Sequence, residues 1–86
     1  MNTPQYMYVI SIISQNKLCV LQRIAGVFSR YRINIEHLNV SRHSENLSYW
    51  NVVIYSNDTR VELLINQLQK VIDLVSIKVI DKVDAL

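Results

Sequence analysis

Between Asn16 and Val40 the chain changes its hydrophobic period, and this change constrains the fold more than any other feature of the sequence. The first apolar set has the spacing of one stripe on an α-helix: Leu18, Leu21, Ile24, Ala25 and Phe28. Asn16 stands just upstream, where its side-chain oxygen is predicted to cap the helix. After residue 32 the pattern becomes a short β-branched run, which is typical of a strand. We therefore predict a helix over 18–31 and a strand over 33–41.

Three other segments have the composition of β-strands. Tyr6–Ile13 is rich in Val, Ile and Tyr, and both of its alternating sets of side chains are largely apolar. Such a strand is usually central in its sheet or covered on both faces. Leu47–Tyr55 and Val75–Ile80 are predicted as the third and fourth strands, and Asp81–Leu86 as a short tail.

A second amphipathic helix is predicted after the turn at Ser56–Asp58. Its apolar stripe consists of Val61, Leu64, Ile65, Leu68, Val71 and Ile72. Thr59 and Glu62 have the Thr-x-x-Glu spacing of a capping box at its start. The order strand-helix-strand-strand-helix-strand predicts an α+β, ferredoxin-like βαββαβ fold, in which both helices cover one face of a four-stranded antiparallel sheet.

Length and composition restrict the class of protein. Eighty-six residues make a single domain, 1–86, and half of them are hydrophobic, so part of the apolar surface is expected to face a partner. The formal net charge of +2 is too small to predict nucleic-acid binding, and no apolar run is long enough for a membrane span. The chain has one cysteine and no signal-peptide pattern, which favours a reducing compartment, the cytoplasm.

Residues with catalytic potential are few and isolated. His37 and His43 have no evident acid or base partner, and neither metal-ligand spacing nor a phosphate-binding glycine loop is present. Cys19 lies near a helix start, but a small buried side chain is the preferred interpretation over a nucleophile. Gly26 is interpreted as a site of close helix packing. We predict no catalytic residue, cofactor site or metal site in this chain.

The stretch from Asn16 resembles the start of an ACT domain, a small regulatory module that binds amino acids, and more narrowly the small regulatory subunit of acetolactate synthase. The family pattern is Asn-x-x-Gly-x-Leu-x-Arg, then Phe, then Asn-Ile-Glu-x-Leu. The matches are Asn16, Leu21, Arg23, Gly26, Phe28, Asn34, Ile35, Glu36 and Leu38. The chain departs from the pattern at Cys19 and Arg32, where the family has glycine, and the segment Lys70–Asp73 resembles part of the family's second helix.

The resemblance implies an effector site at a dimer interface. The start of the first helix offers free backbone N–H groups and the positive end of its dipole, which suit a carboxylate. Carried over residue by residue, the site comprises Asn16, Cys19, Val20 and Leu21 of one subunit with Asn34 and Ile35 of its neighbour. The alternative is that Asn16 only caps the helix and Asn34 only belongs to a turn, and the sequence leaves both interpretations open.

The resemblance further implies a non-catalytic subunit that forms a homodimer and activates an acetolactate synthase catalytic subunit in branched-chain amino-acid biosynthesis. That partner would use thiamine diphosphate, FAD and magnesium, and valine or another branched-chain amino acid would be the effector. Because Cys19 and Arg32 replace glycines, we predict that valine control is weak or absent. A free-standing amino-acid sensor is one alternative. The other is an RNA recognition motif with Tyr8, Tyr49 and Tyr55 as stacking residues.

Overall fold

The chain forms six elements in the predicted order. A computed structural model describes residues 5–84. The elements are β1 (Tyr6–Gln15), α1 (Val20–Arg30), β2 (Ile35–Arg42), β3 (Leu47–Ser56), α2 (Asp58–Leu68) and β4 (Leu74–Asp84). β4 is longer than predicted, because it continues through most of the segment that was interpreted as a tail. The remainder of that tail, residues 85 and 86, lies outside the described range.

The four strands form one antiparallel sheet in the order β2-β3-β1-β4. β1 lies between β3 and β4, which agrees with the first of the two possibilities that its apolar sets indicated, a central strand. The strand order and the two helical connections confirm the ferredoxin-like βαββαβ fold. β2 and β4 are the two edges of the sheet.

The core lies between one face of the sheet and the two helices. Residues paired across antiparallel strands share a face, and the pairs Ile10–Val52 and Ile12–Trp50 are both buried. The helices contribute Val20, Ile24, Val27, Phe28, Val61, Leu64 and Leu68 to the same cluster. The predicted stripes are therefore confirmed over their central turns, at Ile24 and Phe28 in α1 and at Leu64 and Leu68 in α2.

The start of α1 differs from the prediction. Its N-cap is Cys19, not Asn16, and Cys19 makes no side-chain cap hydrogen bond. Asn16 instead directly follows the last residue of β1: its backbone N–H donates to the carbonyl of Asn46 at 2.8 Å, and its Oδ1 accepts from Ser48 at 3.3 Å. The chain then turns before the helix begins, and Leu18, predicted on the buried stripe, is 95% exposed.

The limits of α2 also differ from the prediction. The N-cap is Asn57, whose Oδ1 accepts the backbone N–H of Arg60 at 3.0 Å, so the Thr59–Glu62 capping box is wrong. The helix ends at Leu68, which leaves Val71 and Ile72 in the turn that leads to β4. In that turn Asp73 is buried and Ile72 is 90% exposed.

Two smaller predictions about single residues are wrong. A Cβ added at Gly26 would meet no atom within 4 Å, so this glycine faces open space instead of a closely packed neighbour. Cys19 is exposed and is not a buried core side chain.

A polar cluster joins β1, α2 and β4. The Tyr8 hydroxyl donates to Asp58 at the start of α2, and Lys82 Nζ lies 2.9 Å from the same carboxylate. The Lys82 ammonium also lies 4.1 Å from the centre of the Tyr6 ring. Tyr8 is only 3% exposed and is covered on the helix side of the sheet, so it is not available to stack on an RNA base. Within residues 5–84 neither helix has the length and apolar character needed to cross a membrane.

Candidate functional site

A groove of about 370 Å³ lies where the end of β1 and the start of α1 approach the edge strand β2. Its lining comes from three parts of the chain: Ser14–Lys17, then Val20 and Leu21 of α1, and Leu38, Val40, Ser48 and Trp50 of the sheet. The groove combines an apolar wall with polar groups at one end. Such a combination is typical of sites for small molecules.

The start of α1 gives the groove a positive end. The first turn of the helix has no side-chain cap and contains no acidic residue. The N-terminal end of the helix dipole is therefore uncompensated there, and it favours an anionic group such as a carboxylate. Val20 and Leu21 place this turn at the wall of the groove.

Hydrogen bonds fix the polar part of the groove. The indole Nε1 of Trp50 donates to Ser14 Oγ at 2.9 Å, and both residues are buried. The Ser48 hydroxyl donates to Asn16 Oδ1 at 3.3 Å. The amide nitrogen of Asn16 is left free to donate to a ligand because the hydrogen bond uses only its oxygen.

The groove is open on the side of β2. Leu38 and Val40 point to the helix side of the sheet, since they pair with Val52 and Trp50 of β3. They are nevertheless 39% and 40% exposed, and Leu21 of α1 is 50% exposed. These three apolar side chains form one wall of the groove, and beside β2 that wall is exposed because the strand has no neighbour on its outer edge.

The structure brings together three of the six residues predicted for the site. Asn16, Val20 and Leu21 line the groove. Cys19 is the N-cap of α1 and does not line the groove. Ile35 is the first residue of β2 and Asn34 precedes it, and both also lie outside the lining within one chain. The resemblance assigns Asn34 and Ile35 to the side contributed by a neighbouring subunit.

Sequence reasoning missed Ser14, Ser48 and Trp50. None of them belongs to a motif, and they converge only because the register of β1 and β3 places Ser14 opposite Ser48 and Ile12 opposite Trp50. The polar residue Ser14 at the end of an apolar strand was the one available signal.

The two positions that lack the family's glycines have different backbones. Cys19 has φ −93°, which any residue adopts without strain. Arg32 has φ 57°, in the left-handed region that favours glycine. Its N–H donates to the Ser29 carbonyl at 3.0 Å, and the next N–H, of Ile33, donates to the Phe28 carbonyl at 2.9 Å. This pair of bonds is the Schellman motif that ends α1.

The fold and the groove at the start of α1 define an ACT-type domain. The family described as the AHAS small subunit-like ACT domain matches residues 10–76. The chain belongs to this family, that of the ACT domains of acetolactate synthase small subunits.

Individual relatives agree with this assignment. The chain is 37% identical over 71 residues to the probable acetolactate synthase small subunit of Archaeoglobus fulgidus, covering 81% of this chain and 45% of the relative. It is 34% identical over 71 residues to the acetolactate synthase small subunit of Mycobacterium bovis, covering 81% and 42%. The chain thus spans less than half the length of these relatives.

Solved structures show the same fold. The acetolactate synthase small subunit from Thermotoga maritima superposes with a TM-score of 0.79 at 25% identity, over 87% of this chain and 47% of that one. The ACT domain from the GTP pyrophosphokinase of Chlorobium tepidum gives a TM-score of 0.78 at 21% identity, over 88% and 99%. The second likeness concerns the fold alone.

Proposed function

We propose that this chain is a non-catalytic regulatory subunit that binds and activates the catalytic subunit of an acetolactate synthase in branched-chain amino-acid biosynthesis. Membership of the small-subunit ACT family supports the role. The observation that carries the proposal is the half-open groove at the start of α1, because it offers an effector site that a second subunit would complete.

The catalytic partner supplies the chemistry in this proposal. It would use thiamine diphosphate, FAD and magnesium to condense pyruvate with a second 2-oxoacid. The role of this chain is to stabilise the active form of the partner relative to its inactive form. An effector bound in the groove would shift the equilibrium between these forms only as far as its affinities for the two differ.

The subunit that completes the groove is a second copy of this chain. β2 is an edge strand with one row of unpaired backbone groups, and Leu38 and Val40 beside it are exposed. Pairing of two β2 strands would join the two sheets into one and cover both leucines and both valines. The same pairing would bring Asn34 and Ile35 of one copy towards the groove of the other, as the family resemblance implies.

The effector in this proposal is valine or another branched-chain amino acid, bound weakly. Its carboxylate would lie at the start of α1, and its aliphatic side chain would contact Val20, Leu21 and the Trp50 ring. The amide of Asn16 is placed to bond the polar end of the ligand. Cys19 does not line the groove, but it is the N-cap of the turn whose amides would bind the carboxylate, so its Cβ and sulfur would stand beside them.

Mixing the purified chain with the catalytic subunit from the same cell tests the proposal. We expect the rate of pyruvate condensation to rise with the concentration of the chain and to reach a plateau. An unchanged rate, together with valine binding by calorimetry, would support the free-standing amino-acid sensor instead.

The dimer has its own test in sedimentation at tens of micromolar. Val40→Lys places a charge beside the proposed β2 pairing, and we expect it to weaken self-association. Val79→Lys is the matched control, because Val79 is similarly exposed at 37% but lies on the opposite edge strand, β4. A wild-type chain that sediments only as a monomer would contradict the proposed interface.

A further inference from the structure

A second groove, of about 490 Å³, lies on the outer side of the helix layer, between α1 and the turn that follows α2. We call it the basic groove. Its lining includes Arg23, Val27 and Arg30 of α1 with Lys70, Val71 and Ile72. It shares no lining residue with the groove at the start of α1, and the dimer proposed through β2 does not use it.

More cations than carboxylates surround the basic groove. Its three cations stand against one neighbouring carboxylate, Asp73, which Arg23 binds at 2.8 Å. Lys17 lies 3.5 Å from the same carboxylate, so Asp73 is already paired with two cations and does not neutralise Arg30 or Lys70. Arg30 and Lys70 make no salt bridge with any residue of 5–84, and α1 contains no acidic residue.

One apolar side chain, that of Ile72, lies beside these cations without cover. The Ile72 side chain is 90% exposed, and it lines the basic groove together with Val27 and Val71. Gly26 lies one helical turn from both Arg23 and Arg30, and open space surrounds it. Another backbone can therefore approach this face of α1 closely.

We infer that the basic groove binds an acidic segment of the catalytic subunit, with an apolar side chain of that segment packed against Ile72 and carboxylates paired with Arg30 and Lys70. This inference rests on the proposed function. Arginine can bind a carboxylate through two parallel hydrogen bonds, and rim cations accelerate association with an acidic partner.

Other occupants fit the surface less well. A small anion would leave Ile72 uncovered. A second copy of this chain would bring the same excess of cations against the first, which opposes association. RNA would need aromatic side chains on which its bases stack, and the lining contains none.

The test measures the concentration of this chain that gives half-maximal activation of the catalytic subunit. We expect Lys70→Glu and Arg30→Glu each to raise it by about tenfold with the maximal rate unchanged, because a reversed charge repels an acidic segment. Ile72→Ser should raise it several-fold through the lost apolar contact. Lys78→Glu is the matched control: it makes the same change at an exposed lysine of β4, outside the groove, and should shift the value by less than about twofold.

Salt adds an independent readout. Raising the ionic strength should weaken wild-type binding more than that of Lys70→Glu, because screening acts on the charge pairs that the variant has lost. Circular dichroism and sedimentation of each variant, compared with the wild type, separate lost binding from lost folding or dimerisation. If reversal unfolds the chain, Lys70→Gln and Arg30→Gln remove the charge more mildly and are expected to show the same direction.

Each outcome bears on a different statement. If the wild type activates the catalytic subunit, but the half-maximal concentration is unchanged in Lys70→Glu, Arg30→Glu and Ile72→Ser, the inference is overturned. The proposed function is then left intact. Absence of activation by the wild type would overturn the proposed function, and the inference with it. If the wild type binds single-stranded RNA, and these variants abolish that binding without changing activation, the basic groove is an RNA site. This result would also overturn the inference.

Discussion

Replacing Arg32 by glycine is expected to stabilise the fold. Arg32 is the residue after the α1 C-cap and has φ 57°, a conformation in which its Cβ crowds the backbone. The two hydrogen bonds of the motif use only backbone atoms, from the N–H groups of Arg32 and Ile33 to the carbonyls of Ser29 and Phe28. A glycine keeps both bonds and removes the steric conflict.

Two opposing terms set the size of the effect. A non-glycine residue in the left-handed region costs roughly 1–2 kcal/mol. Glycine gives back about 0.4–1 kcal/mol, because its unfolded chain has more conformations to lose on folding. Arg32→Gly should therefore raise the free energy of unfolding by about 0.5–1 kcal/mol. In a domain of this size that corresponds to a thermal midpoint about 2–8 °C higher.

Urea and thermal unfolding at one fixed protein concentration measure this effect, since self-association alone would shift the midpoint. Arg32→Ala is the first control: it removes the side chain but keeps the Cβ, so no stabilisation is expected. Arg30→Gly is the second control: this residue is the last of α1, and glycine there should destabilise by about 0.5–1 kcal/mol. The reasoning is refuted if Arg32→Gly is no more stable than the wild type.

Two further predictions concern buried and paired polar groups. Ser14→Ala leaves the buried Nε1 of Trp50 without its acceptor, so the free energy of unfolding should fall by about 1–3 kcal/mol. Urea unfolding followed by Trp50 fluorescence measures this change, and an unchanged midpoint would show that the hydrogen bond contributes nothing to stability. Hydrogen bonds from Tyr8 and then Lys82 hold the pKa of Asp58 below its ordinary value of 3.8, so the stability they give is present above that pH and lost as the pH falls through the lowered pKa. Asp58→Asn should therefore lower the thermal midpoint at neutral pH, and its difference from the wild type should shrink in acid; a difference that is independent of pH would contradict this.

The order of elements followed from the sequence because each segment keeps a single hydrophobic period. Tyr6–Ile13 is apolar on both alternating sets, which indicated a strand central in its sheet or covered on both faces, and β1 is central. The helix ends did not follow, because they depend on contacts distant in the chain. Asn16 resembles an N-cap locally, but its oxygen bonds Ser48, 32 residues away. Ile72 stands at the spacing of the α2 stripe, but it lies in the turn after the helix. There Asp73 is buried and Ile72 is exposed.

The candidate site could be predicted only where it is continuous in sequence. Asn16, Val20 and Leu21 lie within six positions of each other and line one groove. Trp50 and Ser14 come from different strands, and their contact depends on the register of β1 with β3, which hydrophobic patterns do not specify to one residue.

The expected weakness of valine control rests on Cys19 and not on Arg32. Strain at Arg32 is present whether or not a ligand is bound, so it lowers stability without changing affinity. Cys19 has an ordinary backbone, and what it adds is a Cβ and a sulfur at the uncapped start of α1, where the ligand carboxylate would lie. Calorimetry separates the two positions. We expect Cys19→Gly to strengthen valine binding and Arg32→Gly to leave it unchanged. Tight valine binding by the wild type, or equal affinity in Cys19→Gly, would show that the cysteine does not obstruct the site.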